Sequence, residues 1–381
     1  MKRIIIIFII TFVLLQNVQA REISFIYING SGSNDTESKR WFFDGIEKFH
    51  PYIKKDFEDN PLAYQKLLNN GQDTIKSEPV AFFWGDVTQA EIEGLTKKLN
   101  YTKLFSPKIA QFIRESAAYW LHDAIWASKY QNVEPLVEGL HEKVMAEYNK
   151  GNQIVLFGYS AGSFVSYNYL LQKSRYIEPY KLISESGTST KQTNEFISKI
   201  NVENTCAAAL KKSKLVSFSA SGEIVVNQDL NQIKEIYPKL NDYTGTYCVP
   251  DDAIKGVVNF ASPFALFYSE MTDPTRPMAA NSKLLYIYIL ESGKFLLNVN
   301  WSNDPLAFPF GTNLTFEDAE KLFNIEKMQV PGYVYDKSDK KSRTIFLLAH
   351  DSYWSNSKRF AKNVVQAYED GYEHYCEQNV K

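Results

Sequence analysis

Three things are scarce in this chain, and each scarcity excludes something. Cysteine is the first: Cys206, Cys248 and Cys376 are the only three, and their spacing matches no metal-ligand pattern. Histidine is the second. His50, His122, His141, His350 and His374 are all there are, so a general base has to come from a short inventory. Excess charge is the third: 42 Lys and Arg stand against 44 Asp and Glu. So balanced a chain lacks the basic footprint of a nucleic-acid partner. Long apolar runs are also missing after the first twenty residues, and no internal repeat or low-complexity linker interrupts the sequence.

The one apolar run sits at the amino end. Lys2 and Arg3, the stretch Ile4 to Leu15, and Val18-Gln19-Ala20 read as the positive region, apolar region and small-residue cleavage site of a secretory signal peptide. About twelve apolar residues fall short of the roughly twenty that span a bilayer, which favours cleavage over an uncleaved anchor. The mature chain is therefore expected to start at Arg21, secreted or periplasmic, with 40 basic against 44 acidic residues. In an oxidising compartment Cys206 is a candidate disulfide partner for Cys248, leaving Cys376 free, although spacing does not fix connectivity.

What is present is more specific. Gln153 to Phe157 is an apolar run that ends abruptly in Gly158-Tyr159-Ser160-Ala161-Gly162, and a helix-compatible stretch from Phe164 to Gln172 follows. A serine is a poor nucleophile unless a base takes its proton and the backbone presents its Oγ free of cover. A sharp strand-to-helix turn presents it, and Gly158 and Gly162 flank the turn because a Cβ at either place is expected to strike the neighbouring strand or helix.

Strands alternate with helical patterns along the rest of the mature chain, the mark of an α/β fold whose mostly parallel sheet is covered on both faces. Ile23 to Ile28 is the first predicted strand and Glu37 to Phe49 a helix; Pro79 to Trp84 is a strand, and Val133 to Lys150 a helix. Further helical patterns lie at Thr88 to Leu99 and Pro107 to Ser128. Beyond the elbow, Gly256 to Phe260, Leu284 to Leu290, Phe295 to Val299 and Thr344 to Ala349 are apolar runs, the last of them the expected final strand, and Tyr353 to Cys376 the closing helix. Residues 21–381 read as one domain. Arg175 to about Asp252 is too long for a strand-helix-strand connection and reads as an insertion, a candidate lid over the site or an extension of the scaffold.

Among the histidines, His50, His122, His141 and His374 sit in or beside helical patterns, where packing and surface roles are usual. His350 differs, following an apolar run at the edge of the sheet from which Ser160 also emerges. The carboxylate that orients such a base is expected at a strand end between the two. Asp304 fits best: Phe295 to Val299 breaks into Asn300-Trp301-Ser302-Asn303-Asp304-Pro305, and Pro305 favours extended backbone at Asp304. Asp251, Asp252, Asp273, Glu270 and Glu291 compete for the role. Oxyanion donors are expected from the backbone N–H of Ala161, at a helix start, and of Gly30 or Ser31, in the flexible loop Asn29 to Ser33 after the first strand.

Taken together, these residues resemble the α/β-hydrolase superfamily, in its secreted lipase and esterase branch. The resemblance rests on Gly158-Tyr159-Ser160-Ala161-Gly162 after a strand, on the order Ser160, Asp304, His350, and on Asn29-Gly30-Ser31-Gly32 where many lipases carry His-Gly. Ala349 to Trp354 is similar to the histidine loop of lipases, and Gly256 to Pro263 to the strand after the elbow. It implies a cofactor-free, metal-free serine hydrolase acting on a small-molecule or lipid ester through an acyl-enzyme, with peripheral membrane contact if the substrate is a lipid. A peptidase, amidase or thioesterase with the same triad is the alternative, as is a non-catalytic binding protein on a hydrolase scaffold. Four Asn-x-Ser/Thr acceptors, at Asn34, Asn100, Asn300 and Asn313, matter only where secreted proteins are glycosylated. A sugar on Asn300 would weigh against Asp304.

Overall fold

The computed structural model describes residues 20–30, 36–85, 130–171, 216–218, 224–226, 252–263, 289, 293–309, 332–344 and 348–374. Strand β1 is Glu22–Ile28, followed by helices α1, Thr36–Glu58, and α2, Pro61–Lys66, and by strands β2, Thr74–Ile75, and β3, Val80–Phe82. Helix α3, Tyr130–Tyr148, leads to β4, Gln153–Tyr159, and α4, Gly162–Leu171. Then come β5, Val216–Phe218, β6, Ile224–Val226, β7, Ile254–Phe260, β8, Phe295–Val299, and β9, Tyr333–Lys337. Helices α5, Ser352–Ser355, and α6, Ser357–Tyr372, end the described chain.

Seven strands form one parallel sheet in the order β2-β1-β4-β7-β8-β9, with β3 continuing the β2 edge of β1. The protein is therefore of the α/β class with a mostly parallel sheet, as the alternation of patterns implies. Side chains alternate along the buried strands. Ile154 and Leu156 of β4 join Leu140 and Val144 of α3 and Phe164 of α4 in one core. Val155, Phe157 and Tyr159 join Phe42, Phe49 and Phe57 of α1, Tyr353 of α5, and Phe360 of α6 in the other. The second core is dominated by aromatic rings in edge and tilted contacts, Phe260 touching Tyr159, Tyr353, Trp354 and Phe360.

The chain leaves β1 in one direction to form β2 and β3, and returns on its other side with β4. Neighbouring parallel strands with connections that diverge leave a crevice at their carboxyl ends. That crevice lies between Ile28 and Tyr159, and it fixes where a site can form.

Two expectations are corrected. The last strand of the sheet, among the described residues, is Tyr333–Lys337, paired with β8, not Thr344 to Ala349. Thr344 lies in a bend, Leu348 to His350 form a tight turn with Leu348 53% exposed, and 345–347 lie outside the described residues. Tyr333–Lys337 carries Asp336 and Lys337, the charge that edge strands tolerate, so its pattern did not look like a buried strand. The first helix also runs beyond Phe49 to Glu58, through Pro51. Burial of Phe49, Ile53 and Phe57 on one face outweighs the hydrogen bond a proline removes.

Of the insertion from Arg175, only β5 and β6 are described, as an antiparallel pair separate from the main sheet. Cys206 and Cys248, the helical patterns from Thr88 to Ser128 and the residues 1–19 of the expected signal lie outside the described residues. Among those described, no helix is long and apolar enough to cross a membrane.

Candidate active site

Strand β4 ends at Tyr159 and helix α4 begins at Gly162, so the chain reverses within two residues. Ser160 takes the turn with a φ of 51°, in the left-handed region that side-chain-bearing residues rarely adopt. Packing holds it there. Its N–H donates to the Phe260 carbonyl at 2.9 Å, and its carbonyl accepts from the Ser163 N–H at 3.0 Å and from the Ser163 hydroxyl at 2.7 Å. The flanking glycines are required by close approach. A Cβ on Gly158 would lie 2.7 Å from Asn259 Oδ1 and 2.9 Å from the Ser163 Cα, and one on Gly162 would lie 2.6 Å from the carbonyl oxygens of Ile28 and Asn29.

The structure brings Ser160, His350 and Asp304 together. The His350 Nε2 is 3.0 Å from Ser160 Oγ, and its Nδ1 is 3.1 and 3.0 Å from Asp304 Oδ1 and Oδ2. All three are buried, at 4%, 2% and 5% exposure. A carboxylate facing Nδ1 makes that nitrogen the N–H donor, which leaves the lone pair of Nε2 aimed at the serine hydroxyl. Burial opposes the charged imidazole, but the Asp304 charge and hydrogen bond outweigh it and raise the His350 pKa above its ordinary value. Burial likewise opposes the Asp304 carboxylate, and His350, the Leu306 N–H and the Tyr353 hydroxyl together hold it below the usual range.

Asp304 sits in an Asx turn: Oδ1 accepts from Leu306 N–H at 2.9 Å, and the Asp304 N–H donates to Trp301 O at 3.0 Å. The competitors do not share this place. Asp252 bonds the Tyr148 hydroxyl and lies near Arg21, at the amino end of the sheet, whereas Asp251, Asp273, Glu270 and Glu291 lie outside the described residues. Asn300 is 1% exposed; its Oδ1 accepts from the Ser262 N–H and its amide donates to Phe308 O. A buried amide so engaged has no room for a sugar.

Two tyrosines that the sequence reading did not single out as orienting groups hold the histidine and the acid. The Tyr353 hydroxyl donates to Asp304 Oδ2 at 2.9 Å and accepts from the Trp301 N–H at 2.9 Å. The Tyr159 hydroxyl donates to the His350 carbonyl at 3.0 Å and lies 3.3 Å from Asp351 Oδ1. Tyr353 lies three residues after His350, one helical turn, and that spacing was the available signal.

Gly30 faces the serine across the crevice, so closely that a Cβ on it would lie 2.6 Å from the Ser160 Cβ. The residue before it is tied down. Asn29 Oδ1 accepts the Trp84 N–H at 2.8 Å, its carbonyl accepts the Trp84 indole N–H at 2.7 Å, and its amide donates to Gly30 O at 2.8 Å. The Asn29 side chain thus orders the loop. Ala161 is fully buried at the helix start beside the serine; Ser31 lies outside the described residues. Among the described residues no group of histidine, cysteine or carboxylate side chains is arranged to hold a metal.

No protein-family model, curated protein or solved structure matches this chain.

Proposed function

We propose that the protein is a serine hydrolase of the α/β-hydrolase type that cleaves carboxylic esters. One observation carries the reading: the His350 ring joins the Asp304 carboxylate at one nitrogen and the Ser160 hydroxyl at the other, each about 3.0 Å away, at a strained turn at the head of the crevice. Support also comes from chain order, with the serine after β4, the carboxylate after β8 and the histidine after β9 of a parallel sheet.

In this reading, Nε2 of His350 takes the Ser160 proton as Oγ attacks the ester carbonyl carbon. The carbonyl electron pair becomes an oxyanion that meets the backbone N–H groups of Ala161 and Gly30, with the positive end of α4 adding to the field. Asp304, kept ionised, stabilises the imidazolium. Collapse of the intermediate breaks the bond to the alcohol, which leaves with the His350 proton. Water, deprotonated by His350, then attacks the acyl-serine, and the carboxylic acid departs as Ser160 regains its proton. No cofactor enters. Secretion after signal cleavage belongs to the same proposal.

Turnover of p-nitrophenyl esters of short and long acyl chains by wild type and Ser160→Ala tests it. The variant is expected to lose about 10⁴-fold or more in kcat, and the chain-length profile separates esterase from lipase. Equal turnover by the two proteins would remove Ser160 from the reaction.

A further inference from the structure

We propose that the flank formed by α1 and α6 is a binding groove for a linear acidic polysaccharide, separate from Ser160 and independent of the hydrolase reading. The groove has a volume of about 850 Å³. One wall is a stripe of α1, Trp41, Gly45, Lys48 and Tyr52, whose spacing of three or four residues, or multiples of it, places them on one helix face. Lys358, Arg359 and Lys362 of α6, with Arg343, supply the rest of the positive lining.

The cations of the groove stand close together without carboxylate partners among the described residues. Lys54, Lys55, Lys76, Lys150, Lys337 and Lys340 each pair with a carboxylate. Lys48, Arg343, Lys358 and Lys362 are exposed and make no ion pair among the described residues. Lys358 and Lys362 stand at i and i+4, where like charges repel. Among the described residues lining the groove the one carboxylate is Asp44, 3.7 Å from Arg40 on its own helix; the charges of Lys362 and Lys358 also act on Asp56, outside the lining. Such a concentration of unpaired charge, in a chain of net charge -2, is complementary to an anion.

Shape and ring spacing select the anion. A second concavity of about 440 Å³ shares Arg359 and Lys362, so the surface is elongated along α6 and not a point, although its Lys337 and Lys340 are neutralised by Asp370 and Asp339. Three of the four unpaired cations are lysines, point charges without the fixed fork that grips a single phosphate. Trp41 and Tyr52 are 39% and 42% exposed and eleven residues apart on α1, about 16 Å along the axis. Rings so far apart cannot stack consecutive bases, as a single-stranded nucleic-acid groove does, but both are exposed enough for sugar rings along one chain to touch them. A concave track also recedes from the plane of a lipid surface.

Fluorescence anisotropy of fluorescein-labelled polygalacturonate, titrated with the mature protein at several salt concentrations, tests the groove. Saturable binding that weakens with salt is expected. The double variant Lys48→Glu, Lys362→Glu should lose roughly tenfold or more in affinity, while Lys143→Glu, exposed on α3 against the opposite face, keeps it. Circular dichroism establishes that each variant is folded, and Lys48→Gln, Lys362→Gln replaces a charge reversal that is not. Ser160→Ala should bind as wild type does, which separates this outcome from that of the hydrolase reading. Absence of saturable binding, or full affinity in the double variant, would overturn the proposal. So would equal affinity for neutral dextran, for oligothymidylate or for phosphatidylglycerol vesicles.

Discussion

Two networks of buried polar groups occupy the two ends of one sheet, and each contains a histidine and a carboxylate. Toward the amino ends, His50 lies between the Tyr27 hydroxyl and the Lys76 carbonyl, each at 2.9 Å. Close by, Glu147 takes hydrogen bonds from Ser24, Lys76, Lys150 and Asn152. At the carboxyl ends, His350 lies between Asp304 and Ser160. Both histidines are buried, at 1% and 2% exposure, and both ring nitrogens of each are engaged. Burial and pairing therefore do not distinguish a base from a strut; the partners do. A carbonyl at Nε2 makes His50 a donor there, and burial lowers its pKa, so it stays neutral and structural. A carboxylate at one nitrogen and a hydroxyl at the other give His350 a proton to take and a counter-charge for holding it.

The contrast breaks most sharply at Asp304. Asp304→Asn keeps the shape but not the charge, and is expected to lower kcat by about 10⁴-fold with little change in melting temperature; a loss under tenfold would remove the carboxylate from the mechanism. Next is Tyr353→Phe, which takes a donor from Asp304 and leaves the Trp301 N–H without an acceptor. Its cost is about 1–3 kcal/mol, divided between stability, read by denaturant titration, and kcat, with KM unchanged. A shift of KM alone would contradict the role of Tyr353 in holding the acid. Glu147→Gln should do the reverse of Asp304→Asn: roughly 1–3 kcal/mol of stability lost and kcat retained. Loss of kcat without loss of stability would erase the distinction between the two ends.

The smallest effects are in pH. His50 has a lowered pKa in the folded state, so its contribution to stability is whole above about 6.5 and is lost as pH falls through its folded value. Glu147, lowered to about 2 despite its burial by hydrogen bonds from Lys150, Ser24, Lys76 and Asn152, contributes above its ordinary value and is lost as pH falls toward 2. His350 runs the other way. Its raised pKa contributes stability below about 6.5 that is lost as pH rises, whereas activity, which needs the neutral ring, climbs with pH through the same raised value. Unfolding free energy and kcat/KM measured across pH 4 to 9 check both signs, and an activity that falls between about pH 6 and 8 would contradict the assignment of His350 as base.

Much of the site was legible because its requirements are local. The elbow needs a buried strand, a tight turn and two glycines within one short stretch, and Gly158 to Gly162 spells that out. His350 and Asp304 were found by elimination and chain order, with less local signal. His350 was read as following a strand at Thr344 to Ala349, whose described ends are a bend and a turn, and the charged edge strand Tyr333–Lys337 was not read as a strand. The tyrosine supports and the Asn29–Trp84 lock were not legible, because they depend on which side chains the sheet brings together across 49 to 192 residues of chain. Long range also hid the Glu147 network, in which Ser24 and Glu147 meet only once β1 and α3 have packed.

One measurement bears directly on the central assignment: intact-mass and peptide mapping of the purified protein after treatment with a fluorophosphonate, beside His350→Asn. A single phosphonyl adduct on the peptide carrying Ser160 in wild type, and its near absence in His350→Asn, is the expected result. An adduct on another residue, or undiminished labelling of Ser160 without His350, would contradict the assignment of Ser160 as a nucleophile activated by that histidine.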